Sequence, residues 1–139
     1  MYLSVKEIEL VIESHVIDQI VDDNRLIVAE AISDAISEVE SYLAVRFDTQ
    51  KIFAARGRNR NRDILRRVKI ITVWNLITRS SAEVLYDIWE RRYTNVIAWL
   101  EKIARPGFPS PDLPLLTDTS GDPVGRLRAG SRPKFEHSF

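Results

Sequence analysis

Proline is absent from the first 105 residues of this 139-residue chain, and Gly57 is the only glycine among them. All six prolines and four of the five glycines fall in the last 35 residues. Proline removes a helix donor and clashes with the preceding turn, while glycine costs about 1 kcal/mol against alanine inside a helix. Residues 1–105 are therefore free to build helices, and residues 106–139 cannot hold a long one. The tail is nonetheless too apolar for a solvated linker, with Phe108, Leu113, Leu115, Leu116, Val124, Leu127, Phe135 and Phe139. Its segments 113–117 and 124–127 flank a polar stretch and are able to pair as a short β-hairpin.

Helical periodicity organises the first part. Ser4 and Glu7 form a capping-box pattern ahead of a helix that places Val5, Ile8 and Ile12 inward. A short helix over about 15–20 follows, ending near Asp22-Asp23-Asn24. The next helix, to about residue 47, carries Val28, Ile32, Ala35, Ile36, Val39, Tyr42 and Leu43 on one apolar stripe. Period is lost between 48 and 61, where an arginine stands at every second position from Arg56 to Arg62 around Gly57. Asp63 is the expected cap of a helix over 64–79, whose broad apolar face makes it the central one. Ser81 is the expected cap of a last helix, with Leu85, Ile88, Trp89, Tyr93, Val96, Ile97, Leu100 and Ile103 as its stripe. Arg105-Pro106-Gly107 stops that helix. The fold expected is an all-α bundle of about five helices over 1–105, with an arginine-rich loop at 51–62 and an extended arm over 106–139.

A net charge of zero conceals strong segregation. Residues 1–50 hold three basic and eleven acidic side chains, a local charge of −8, while residues 51–79 hold nine basic and one acidic, a local charge of +8. Glu30, Asp34 and Glu38 form a row along one helix edge, where like charges repel by a few tenths of a kcal/mol per pair. Arg56, Arg58, Arg60, Arg62, Arg66 and Arg67 are the basic counterpart. An arginine fork donates two parallel bonds to carboxylate or phosphate alike. Two outside partners follow, a DNA backbone or the acidic row of a neighbouring copy, and the third possibility is that the acidic half of the same chain holds the basic loop. Because no core residue is touched, replacing Arg58, Arg60 and Arg62 with serine is expected to leave the helices intact.

Most site chemistry is missing. The chain has no cysteine and only two histidines, His15 and His137, without the clustered ligands a metal site needs. There is no Gly-x-Ser-x-Gly and no phosphate-cradling glycine loop. We expect no enzyme activity and no cofactor. No run of 18 apolar residues exists, so no transmembrane helix is expected. Lys6 and three glutamates in the first 13 residues are wrong for a secretory signal, and synthesis in the cytoplasm is expected.

Three segments carry a resemblance: the start Tyr2-Leu3-Ser4-Val5-Lys6-Glu7-Ile8, the helix end Ser37-Glu38-Val39-Glu40-Ser41-Tyr42-Leu43-Ala44-Val45-Arg46-Phe47, and residues 93–104. In order and spacing they resemble a family of small Mu-like phage and prophage proteins, and more distantly the helical head–tail connector (head-completion) proteins of long-tailed phages. The resemblance covers about residues 2–105. It implies a structural virion protein, a neck subunit assembled as a homo-oligomeric ring between portal and tail, with DNA passing through the lumen. In that setting the acidic row and the basic cluster would be subunit contacts, the arginines alternatively meeting lumen DNA. Phe108, Leu115, Leu116 and Phe135 would dock the arm, and the host cytoplasm would be the site of assembly. The alternative is a small helical nucleic-acid-binding or regulatory module using residues 56–67 on phosphates. Against it, no helix–turn–helix with a basic recognition helix is present.

Overall fold

The computed structural model describes residues 1–14, 25–79, 83–109 and 111–117. Five α-helices run through them: α1 (Val5–Ser14), α2 (Arg25–Leu43), α3 (Thr49–Ala54), α4 (Arg62–Arg79) and α5 (Glu83–Ile103). A short 3₁₀ turn, Gly57–Asn59, separates α3 from α4. Among the described residues there is no β-strand, and the all-α expectation holds.

Each helix start has a local cause. At α1 the capping box forms as its spacing predicts: Ser4 Oγ accepts the Glu7 N–H at 3.2 Å, and Glu7 Oε1 accepts the Ser4 N–H at 3.1 Å. The stretch 48–61, expected to be loop throughout, contains α3 instead. Asp48 caps it by accepting from the Lys51 N–H, Ile52 is buried, and the Phe53 ring meets Tyr2 edge-on at 4.9 Å. Asn61 rather than Asp63 caps α4, its Oδ1 accepting from the N–H groups of Asp63 and Ile64 at 2.9 and 3.0 Å. Gly57 sits at φ 58°, the left-handed region that disfavours side chains, and so lets the chain turn into the 3₁₀ segment. The helix expected over 15–20 and the Ser81 cap lie outside the described residues.

Helix α4 is central, as its broad apolar face requires. It packs against both α2 and α5, and Ile71, Thr72 and Val73 are buried in succession. Thr72 satisfies its hydroxyl by donating to the Val68 carbonyl at 2.8 Å. From α2 come Val28, Ala31, Ile32, Ala35, Val39 and Leu43, with the two alanines fully covered. Helix α5 contributes Trp89, Val96, Leu100 and Ile103, whereas Ile88, expected inward, is half exposed.

The end of α2 joins three parts of the chain. Arg46 is buried, and its guanidinium donates to the carbonyls of Ile103 (2.9 Å), Arg105 (3.2 Å) and Phe108. The Ile103 carbonyl is an open acceptor at the C-terminus of α5, where a cation also suits the helix dipole, and the Arg105 and Phe108 carbonyls belong to the turn just beyond it. Phe47 is fully buried and forms an antiparallel bridge with Leu115. Asp48 N–H donates to the Pro114 carbonyl at 2.8 Å, and Leu116 N–H to the Arg46 carbonyl at 3.0 Å. The hairpin expected over 113–117 is thus replaced, on its described side, by pairing with the end of α2; its other half, 124–127, lies outside the described residues.

Candidate functional site: an arginine and tryptophan cleft

Two of the four loop arginines, Arg56 and Arg60, are engaged by their own chain. Arg60 lies across the N-terminus, its guanidinium bidentate to Glu7 at 3.1 and 2.9 Å and donating also to the Tyr2 and Gly57 carbonyls, each at 2.9 Å. That fork holds the Glu7 carboxyl well below its usual range, at about 2, and raises the pKa of Arg60 in turn. Tyr2, covered alongside, has its hydroxyl pushed up to about 12 by burial. Arg56 donates to the carbonyls of Phe53 (2.8 Å) and Ala55 (3.0 Å). Arg58 and Arg62 are exposed and make no hydrogen bond or ion pair among the described residues.

The other two predicted arginines sit one turn further on and behave differently. Arg66 is exposed, 3.8 Å from Asp63. Arg67 has only 13% of its side chain exposed and lies with its guanidinium carbon 3.7 Å from the Trp99 ring centroid. Its Nη1 donates to the Asp63 carbonyl at 3.2 Å, while its Nε is covered and has no acceptor. Burial first, then the charge of Arg66, lowers its pKa. A third arginine joins them from α5: Arg92, exposed, lies 4.6 Å over the Trp89 ring. Arg66, Arg67 and Arg92 with Ile70, Asn95 and Val96 line an open cleft of about 190 Å³ between α4 and α5. Neither Arg92 nor Asn95 was singled out in the sequence. The available signal was the i, i+3, i+4, i+7 spacing of Arg92, Asn95, Val96 and Trp99, which places them on one face of α5.

The acidic row does not meet the basic loop within the chain. Glu30 lies 3.8 Å from Arg79, both exposed. Asp34 is exposed and makes no hydrogen bond or ion pair among the described residues. Glu38 accepts from the Tyr93 hydroxyl, whose pKa is raised by burial and by that bond. Of the arm residues, Leu115 is half-buried against its own bundle, Leu116 is half-buried, and Phe108 stays 37% exposed while its carbonyl takes the Arg46 bond. Phe135 lies outside the described residues.

Chemically, the cleft can hold an oxyanion. A guanidinium stacked on an indole keeps its in-plane N–H donors available to a carboxylate or phosphate. Among the described residues no group of three or more His, Asp or Glu side chains converges to hold a metal, and no helix is long and apolar enough to cross a membrane.

Comparison with known proteins gives one finding. Residues 2–111 match the family described as Bacteriophage Mu, Gp36. No curated protein and no solved structure gives a significant match.

Proposed function

The chain belongs to the bacteriophage Mu Gp36 family, and from that membership we propose that it is a head–tail connector (neck) subunit, assembling as a homo-oligomeric ring between portal and tail. Its work is assembly, not catalysis. The helical bundle is the body of the subunit, opposite charges on different elements favour contacts between unlike faces of adjacent copies, and the arm reaches the portal or tail. A heterologous contact closes into a ring when the rotation permits. Charge complementarity in such a contact fixes register and partner choice more than raw affinity. The host cytoplasm would be the place of assembly and the virion neck the destination.

The observation that carries the reading is the family match over residues 2–111, on a chain whose described part is a packed helical body. Electron microscopy of the purified protein mixed with the portal of its own phage tests it, the expected result being closed rings seated on the portal. Failure to form rings with the portal present sinks the proposal. A monomer that retards duplex DNA, with affinity falling steeply as salt rises, puts a nucleic-acid-binding module in its place.

A further inference from the structure

The arginine and tryptophan cleft is built as a socket, and its occupant can be argued from size, charge and what else the chain leaves unpaired. Arg67 and Arg92 are each laid against an indole face, at 3.7 and 4.6 Å, so both guanidiniums are oriented before a ligand arrives. Pre-orientation removes part of the entropy cost of closing a bidentate contact. The third cation, Arg66, is exposed and loosely held, 3.8 Å from Asp63. Ile70 and Val96 supply apolar walls and Asn95 a further donor and acceptor. A volume of about 190 Å³ holds roughly six waters, the space of one acidic side chain with its methylene stem.

A nucleic-acid backbone fits less well. Asp63 lies 3.8 and 3.6 Å from Arg66 and Arg67 and offsets part of their charge, and the −8 carried by residues 1–50 opposes any long polyanion. One carboxylate asks less of the cleft than a polyanion does, since it needs a single fork and brings no run of phosphates past Asp63. The chain itself carries a complementary donor of such a group: the exposed edge of α2, where, among the described residues, Asp34 makes no ion pair and Glu30 only a long one to Arg79.

We propose that the α4/α5 cleft receives a carboxylate from the Glu30–Asp34 edge of α2 on a second copy of this chain, forming the repeating contact between subunits. The proposal rests on the connector reading, which supplies the second copy. The contact is heterologous, joining two different surfaces, as a ring requires.

Because the chain has no cysteine, a disulfide trap reports the contact without background. Ser37→Cys places a thiol beside Asp34 and leaves the acids in place, Asn95→Cys places one at the cleft, and Gln50→Cys on α3 is the control; all three positions are exposed. Under mild oxidation at high protein concentration, the Ser37→Cys and Asn95→Cys chains should cross-link about tenfold more than the Gln50→Cys and Asn95→Cys chains, the advantage vanishing at high salt. Adding Arg92→Glu to the Asn95→Cys chain should abolish that advantage, and Asp34→Arg in its partner should restore it. Equal yields in the test and control pairs overturn the proposal. So does loss of the cross-link on adding duplex DNA together with DNA retardation that needs Arg92, which assigns the cleft to phosphate. Rings that assemble unchanged with Arg92→Glu overturn this contact alone and leave the connector reading standing. A charge-dependent cross-link in a protein that forms no ring on its portal overturns the connector reading alone.

Discussion

Two groups of arginine occupy opposite roles in this molecule. Arg46 and Arg60 direct their donors at backbone carbonyls and a carboxylate of their own chain, joining the termini of the bundle to its middle. Arg67 and Arg92 lie instead on tryptophan faces, which hold the guanidinium plane; Arg67 spends one donor on the Asp63 carbonyl, and Arg92 spends none among the described residues. The same side chain is therefore a fastener in one place and an open receptor in the other. What decides between them is the neighbour: a carbonyl or carboxylate consumes donors, whereas an indole orients them.

That contrast can be broken by substitution. Arg46→Ala takes the guanidinium from the Ile103, Arg105 and Phe108 carbonyls at and just beyond the end of α5, leaving Arg105 only its bond from the Phe108 N–H, and should cost about 3 kcal/mol, lowering Tm by roughly 10 °C in a thermal melt. A loss below about 1 kcal/mol would mean that water replaces the guanidinium and that Arg46 is no fastener.

Next in size is the Arg60 fork. Arg60→Ser or Glu7→Gln should each cost about 1.5–3 kcal/mol in chemical denaturation near neutral pH. Glu7 has its pKa lowered from 4.5 to about 2, so its contribution is complete above pH 4.5 and disappears as pH falls from there toward 2. The Glu7→Gln protein should show a flatter stability profile over that window, and parallel profiles would refute the assignment. The same pair gives the Arg58, Arg60 and Arg62 to serine replacement a stability cost of its own, carried by Arg60, whether or not the helices stay intact.

Smaller effects belong to the receptor group. Arg67→Met keeps the stem packing and removes a covered charge, so stability should shift by about 1 kcal/mol or less in either direction. A loss of about 3 kcal/mol or more would place Arg67 with the fasteners. Smallest of all, Arg58→Ser combined with Arg62→Ser should stay within about 0.5 kcal/mol per site of the parent, since neither side chain has a partner among the described residues.

Legibility followed range. Features set by neighbours in sequence were readable: the Ser4–Glu7 cap, the α2 stripe, the central place of α4, and the stop ahead of Pro106. Helix α3 is hard to read because six residues are too few to show a period, and its one local signal is Asp48 at the cap. Long-range contacts were illegible. Arg46 was visible only as part of a family marker, yet the marker has a physical content: Leu43 and Phe47 are fully buried, and the arginine between them closes α5. The cleft required knowing that Trp99 lies over Arg67, which no spacing discloses. The acidic and basic blocks were correctly seen as opposites, but Arg60 meets Glu7 on α1 and not the α2 row.

The clasp formed by Phe47, Asp48, Pro114 and Leu116 also fixes how load travels through the chain. A pull applied at Thr117 reaches the bundle through the Leu116–Arg46 and Asp48–Pro114 bonds. From there it passes into the end of α2 and, through the Arg46 guanidinium, into the end of α5. Tension is thus divided between two long helices before it strains the connection at Pro106. The clasp works as a cable anchor, so segment 111–117 can be tugged off the bundle only after this joint gives way.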